Sequence, residues 1–471
     1  MTNNKTMTKG KIAPALYGFT LPLLVSALFQ QLYNMADSVI VGQCQANGES
    51  AVAAIGASFG ITMIFMSVAF GCNSGCSVVI GRLFGARRYK KIKTAVGTTL
   101  IAFLSLALLL TAVGRLVSRP LLALLNTPQS IMADAETYLN VYVYGLTFLF
   151  LYNACTGIFT ALGDSKTPLF FLIASSLLNM ALDYVFVAFC GWGVAGVAWA
   201  TFITQALAAL MSLFVMTKRL RHLEIMSIVN EEPLEKGQNY PVFSFKMLQS
   251  IMIIALPSIV QQGVISVGNF MVQGVVNHFG EAVIAGFAVG VKLRTFAMAI
   301  FVSGSNALAT FSAQNMGAEN PQRVKKGFLY SALFTWCVSL PFIVLYVFFG
   351  EFMIRLFVKD ISAAALNAGM TYLKIVAPFF FIISIKTNSD AVLKGSAKMV
   401  QFMISTMLDL FLRVGFAYIL GYSLNTELGI WWSWPIGWVI ATCVSFGFYL
   451  SGIWYKPTKR KSLAQKAMEK V

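Results

Sequence analysis

Stretches of about 20 or more mostly apolar residues recur from end to end of this 471-residue chain, and they constrain its fold more than any other feature. Twelve can be marked, at 14–43, 51–80, 92–117, 134–162, 167–190, 194–217, 248–278, 282–312, 324–349, 362–391, 399–421 and 430–455, separated by Gly, Pro or charge. Runs of this length match the ~20 residues a helix needs to cross the hydrocarbon core of a bilayer. Hydrophobic residues make up 58% of the chain and charged ones only 11%, so lipid is expected to be its main solvent. The fold expected is an all-α integral membrane protein of twelve transmembrane helices.

The net charge of +17 could suggest a nucleic-acid partner, but its distribution argues against one. Lys and Arg gather at Lys5/Lys9/Lys11, Arg82–Lys93, Lys166, Lys218–Lys246, Arg323/Lys325/Lys326, Lys394/Lys398 and from Lys456 on. These are the two ends and every second loop; Arg119, Arg355 and Lys359 are the exceptions. Positive charge stays on the cytoplasmic face, which places both termini there and makes the span number even. The basic N-terminal stretch reads as a lead into the first helix, with no cleavage site behind it. The seven Cys form no paired framework, and Cys72 with Cys76 alone makes a poor metal site.

An internal repeat divides the chain. Gly48-Glu49 matches Gly280-Glu281, Gly85-Ala86 matches Gly317-Ala318, and the Gly163–Lys166 loop matches Gly395–Lys398, all at an offset of 232; Leu21-Pro22 matches Leu256-Pro257 at 235. Six spans per half, both starting inside, predict two six-helix bundles related by a pseudo-two-fold axis along the membrane normal, with a cavity between them. The predicted lobes are 1–217 and 248–455, with a cytoplasmic linker at 218–247 and a basic tail at 456–471.

The segments LPLLVSALFQQLYNMADSVIVGQ, RLFGAR, ALGDSKTP, LLNMALDYVFV and GWGVAGVAWAT, with LPSIVQQGVISVGNFM and SAQNMGAENPQRVKKG in the second half, closely resemble the multidrug and toxic compound extrusion (MATE) family. Within it they resemble the DinF-like branch and its MepA-like group. The resemblance implies a secondary multidrug efflux antiporter of a prokaryotic inner membrane. Such a protein exports hydrophobic or cationic compounds in exchange for H⁺ or Na⁺ by alternating access, with consequences for antibiotic resistance. It also implies an ion-coupling site at Asp37, Asn179, Asp183 and Thr201, with Pro22 at a helix kink. A second-half acid pair used by another branch has no counterpart here: Gln261 and Gln262 stand in helix 7, and Asp390 lies near Lys394. No cofactor is expected beyond the coupling ion, and no metal site beyond a possible Na⁺ at the same four residues. The expected partners are drug-like small molecules and lipid, with the protein working as a monomer.

The residues support this on their own terms. Phe170–Cys190 is apolar except for Asn179 and Asp183, four apart on one helix face. An acid near the centre of a membrane helix costs about 2.5–3.5 kcal/mol on insertion scales, so it needs a partner or a task. At ~1.5 Å per residue, Asp37, Asp183 and Thr201 each lie about 10 Å below the outer boundary, and Asn179 one turn deeper. Two close carboxylates in low dielectric cannot both stay ionised cheaply, which permits proton coupling; the same oxygens could hold a small cation. Interhelical hydrogen bonding is the plainer alternative. At offset 232 the mates of Asn179 and Asp183 are Phe411 and Gly415, and at 235 that of Asp37 is Val272, so the acids belong to one half.

Pro22 and Pro257 are expected to kink helices 1 and 7 and to act as hinges. Gln30, Asn34, Gln261 and Asn269 are candidate cavity groups, with polar helix packing the plainer reading. Lys292 and Arg294 could line the cavity but are expected rather to snorkel or pair, and Asp409 with Arg413, four apart, to neutralise each other. GDSKT at 163–167 lacks the glycine spacing of a phosphate loop. His222 and His278, both at loops, form no catalytic or metal constellation, so the chain is not expected to be an enzyme. A flippase for lipid-linked precursors is the alternative function.

Overall fold

The computed structural model describes residues 7–44, 48–229, 241–358 and 361–456, apart from the side chains of 34–44, 48, 49, 52 and 222–229. The first half contains α1 (Ile12–Cys44), α2 (Gly48–Gly85), α3 (Tyr89–Leu124), α4 (Gln129–Ala161), α5 (Lys166–Tyr184) and α6 (Gly193–Val229). The second contains α7 (Phe245–Asn277), α8 (Glu281–Gly317), α9 (Pro321–Phe348), α10 (Gly350–Phe357), α11 (Ala363–Val376), α12 (Phe380–Gly395), α13 (Met399–Leu424) and α14 (Glu427–Leu450). Among the described residues, twelve stretches are long and apolar enough to span a membrane, α11 and α12 together forming one of them. Between those two, Pro378 supplies no N–H and the chain tightens into a 3₁₀ turn, Ala377–Phe379.

The eight-residue α10 lies where the sequence suggests only a loop. It accounts for one exception to the charge pattern, because Arg355 Nε donates to Glu351 at 2.9 Å, one turn away. Arg119 likewise faces Glu136 at 3.8 Å. Lys359 lies outside the described residues.

The repeat is present, but its register at the third loop differs from the sequence match. A helix that ends in a left-handed cap needs one residue at positive φ. Gly163 supplies it after α4 (φ 81°) and Ala397 after α12 (φ 56°), an offset of 234. The hydrogen bonds agree: Gly163 N to Thr160 O and Asp164 N to Phe159 O recur as Ala397 N to Lys394 O and Lys398 N to Leu393 O. Burial agrees too, since the buried α5 residues Pro168, Phe171, Ser176, Asn179 and Asp183 fall on buried Phe402, Ser405, Leu410, Arg413 and Ala417. The mates of Asn179 and Asp183 are therefore Arg413 and Ala417, replacing Phe411 and Gly415. At the earlier loop the positive-φ residues Arg87 and Glu319 keep the offset of 232.

Contacts divide the chain into two compact units, one comprising the chain up to Leu24 together with Val260 onward, the other Val25–Ile259. In the first, Arg323 on α9 gathers the carbonyls of Met7 (3.0 Å), Lys9 (2.9 Å) and Gly10 (2.7 Å), and the Tyr17 hydroxyl donates to Tyr330 O at 3.0 Å. In the second, Ser258 on α7 meets Ser74 on α2 at 3.3 Å, and a Cβ on Gly75 would strike Ala255. Small residues let membrane helices approach this closely. The unit boundary thus falls inside α1 and α7, two residues beyond Pro22 and Pro257, whereas the division expected from sequence runs through the 218–247 linker.

Candidate functional site

Asp183 and Asn179 sit on the last turns of α5, and both are buried, Asp183 completely. Directly after them the helix widens into a π turn, Val185–Phe189, closed by Cys190 N donating to Val185 O at 3.0 Å. Such turns occur often at functional sites because they re-aim the side chains beside them. The Asn179 amide is oriented by its neighbours. With Nδ2 toward Asp183, it donates to Asp183 Oδ2 at 3.2 Å and to the Tyr33 hydroxyl at 2.5 Å, while Oδ1 accepts from the Thr201 N–H at 3.2 Å. Three helices, α1, α5 and α6, thereby converge on one amide.

Of the four residues expected to form the site, the structure brings Asn179, Asp183 and Thr201 together. Asp37 lies on α1 one turn beyond Tyr33, and its side chain is outside the described residues, as is that of Asn34. Tyr33 was missed by sequence reasoning; the signal was its i, i+4 relation to Asp37. Thr201 also faces a narrow crevice lined by Tyr138, Tyr142, Phe202 and Gln205, with space for about one water. Pro22 and Pro257 lie within unbroken helices. Gln30 is half-buried, Gln261 donates to the Thr406 hydroxyl at 3.2 Å, and Asn269 is exposed.

A second buried polar cluster lies in the other unit, on α8, α12, α13 and α14. Lys386 Nζ contacts Asp390 Oδ2 at 2.8 Å and Asp409 Oδ2 at 3.9 Å, and the Ser445 hydroxyl donates to Asp390 Oδ1 at 2.5 Å. The guanidinium carbons of Arg294 and Arg413 lie 3.7 and 4.2 Å from the ring centre of Trp434. This corrects one expectation: Arg294 is buried on an aromatic face and does not snorkel, although Lys292 is exposed. Asp409 contacts Lys386 at 3.9 Å and also interacts favourably with Arg413, four residues on. An arginine stacks readily on an indole, and so it tolerates burial that a lysine at the same place would escape.

The MatE family matches residues 22–185 and, again, residues 257–419. The chain belongs to the MATE family. Its two matched segments are the two halves of the internal repeat. A probable multidrug resistance protein of Bacillus subtilis, YpnP, is 27% identical over 95% of this chain and 97% of its own length. A MOP-superfamily transporter from Pyrococcus furiosus, described as having a binding pocket of reverse polarity, superposes with a TM-score of 0.85 at 22% identity, over 96% of this chain and 98% of its own. A MATE crystal structure in complex with MaD3S superposes equally well, at 0.85 and 21% identity over all of both chains. At such identity the likeness fixes the fold, and with the family it makes this protein a multi-pass secondary transporter and not an enzyme.

MATE transporters use H⁺ or Na⁺, and the groups that meet here are a carboxylate, an amide, a phenol and the backbone N–H of a threonine. The side chains do distinct work. Asp183 is the described carboxylate, Asn179 donates to its Oδ2, and the Tyr33 hydroxyl with the Thr201 N–H holds Asn179. A site held this way is preorganised by packing, because one orientation of the Asn179 amide serves Asp183 Oδ2, the Tyr33 hydroxyl and the Thr201 N–H together.

Proposed function

We propose that this MATE protein is an antiporter that exports hydrophobic, often cationic organic compounds in exchange for protons. Asp37 and Asp183 carry the coupling ion, and Asn179 and Thr201 position it. The observation that supports this most is the wholly buried Asp183 facing the Asn179 amide nitrogen. An amide N–H meets Asp183 Oδ2, and the amide oxygen that a Na⁺ would use is taken by the Thr201 N–H. Protonation of the acids from outside would weaken their hold on a cationic compound and favour its release; loss of the proton inside would reset the site.

The protein works as a monomer in a bacterial inner membrane with both termini in the cytoplasm, and its sequence motifs favour the DinF-like, MepA-like group. The lobes 1–217 and 248–455 alternate in access, with Pro22 and Pro257 as hinges. Each proline lacks the N–H of a helical hydrogen bond and lies two residues from a unit boundary. The test is ethidium efflux from cells expressing Asp37→Asn or Asp183→Asn at wild-type levels. Efflux falls in both; undiminished efflux in both would refute the coupling role.

A further inference from the structure

The cluster around Trp434 has more positive charge and more hydrogen-bond donors than its own residues can use. Arg294, Lys386 and Arg413 bring three positive charges, Asp390 and Asp409 two negative ones, and all but Asp409 are at least nine-tenths buried. Lys394, one turn beyond Asp390, adds a further cation on the Asp390 side. Asp390 spends both oxygens, on Lys386 and on Ser445. Near the arginines that leaves Asp409, whose Oδ1 has no hydrogen-bond partner among the described residues.

Five donors in the same place are also unpartnered among the described residues: Nε of Arg294 and of Arg413, the Tyr372 hydroxyl, and Nε1 of Trp431 and of Trp434. Trp431 meets Tyr372 edge to face with ring centres 5.2 Å apart, so these groups form one neighbourhood. One open acceptor cannot serve five open donors. A water could fill some of them, but not the excess charge, which in low dielectric calls for a counter-charge.

The cluster is built tightly. A Cβ on Gly286 would strike Ala365 O, and a Cβ on Gly290 would meet the Tyr372 ring, so α8 lies hard against α11 and Arg294 is brought to Tyr372. The depth is mid-helix: Arg413 is fourteen residues from the start of α13, about 21 Å along it. Asp409, with 16% of its side chain exposed, marks the side from which the cluster can be reached.

We propose that Arg294 and Arg413, with the Tyr372 hydroxyl, form a binding site for a singly charged anionic group, a carboxylate or a halide. Guanidinium N–H groups and a phenol supply the donors, Trp434 holds the guanidiniums in place, and the Lys386–Asp390–Asp409 pairs fix the surrounding field. The anionic group has two possible sources, a free ion or the carboxylate of a transported compound.

The test uses the full-length protein in nanodiscs. Its thermal unfolding midpoint is followed while sodium chloride or sodium acetate replaces a bulky sulfonate at constant ionic strength. A ligand that binds only the folded state raises the midpoint. The wild type shows a saturable rise of a few degrees, and Arg413→Gln and Arg294→Gln lose it. Should either fail to fold, Tyr372→Phe and Arg294→Lys right-shift the titration several-fold. No saturable rise in the wild type, or one that every folded variant keeps unchanged, overturns the site; a uniform drop in midpoint at all anion concentrations would mean packing alone.

A second arm distinguishes the sources by comparing export of norfloxacin with that of its ethyl ester. If Arg413→Gln impairs only the acid, the site takes the compound's carboxylate; if both are impaired alike and chloride still saturates, it takes a free ion. This arm rests on the exporter reading. The stability titration does not, and would stand if that reading failed.

Discussion

The polar groups on α5 and those on α12 and α13 occupy corresponding places in two copies of one helix repeat, yet they differ in sign. At the offset of 234, Asn179 corresponds to Arg413, Ser175 to Asp409, Tyr152 to Lys386 and Thr156 to Asp390; at 232, Thr62 corresponds to Arg294. The first half therefore keeps neutral groups at all five places and sets one acid, Asp183, where the second half has Ala417. The second half instead sets five charges where the first has none. A shared scaffold fixes which positions point inward, but the side chains placed there decide whether the interior attracts cations or anions. In both halves the buried groups are stabilised by a fixed neighbour, an amide in one and an aromatic face in the other.

The two clusters should respond differently when a partner is removed. Lys386→Met leaves Asp390 buried without its ion-pair partner, with an expected loss of ~3–5 kcal/mol that Lys386→Met with Asp390→Leu largely recovers. Thermal unfolding in detergent measures both; equal losses in the single and double variants would mean that the pair is not the source. In the other half Asp183→Ala strands one donor of the Asn179 amide and should cost less, ~1–3 kcal/mol by the same measurement. A larger loss than for Lys386→Met would reverse the comparison. Tyr33→Phe removes one hydrogen bond from the same amide, worth ~1 kcal/mol, and should lower efflux without abolishing it. Outside both clusters, Glu351→Gln breaks the exposed pair with Arg355 and should shift stability by only ~0.3–0.5 kcal/mol, less as salt is raised.

Long apolar runs need no tertiary information to be recognised, which is why all twelve spans were legible in the sequence. The short α10 was not, since eight residues give too little pattern against a loop background. The repeat was legible, but Gly163–Lys166 and Gly395–Lys398 align by letter at 232 while the chain turns at Gly163 and Ala397. An alanine at positive φ leaves no mark in sequence. Asn179 and Asp183 could be found because polar groups in apolar helices are costly, whereas Thr201 was reached only through the family resemblance. Tyr33 was overlooked, since a tyrosine in a membrane helix is unremarkable until its hydroxyl finds a partner, and only its spacing from Asp37 hints at a role. Lys386 was hidden for a related reason: in KTNSD it reads as one more charge near a helix end, and only packing shows it buried between two acids.

The most direct measurement of the central claim is export of ethidium from proteoliposomes holding wild-type protein or Asp183→Asn, with proton and sodium gradients imposed separately. A proton gradient alone should drive export by the wild type, a sodium gradient alone should not, and Asp183→Asn should be indifferent to both. Export by Asp183→Asn that still rises with the proton gradient would contradict the account.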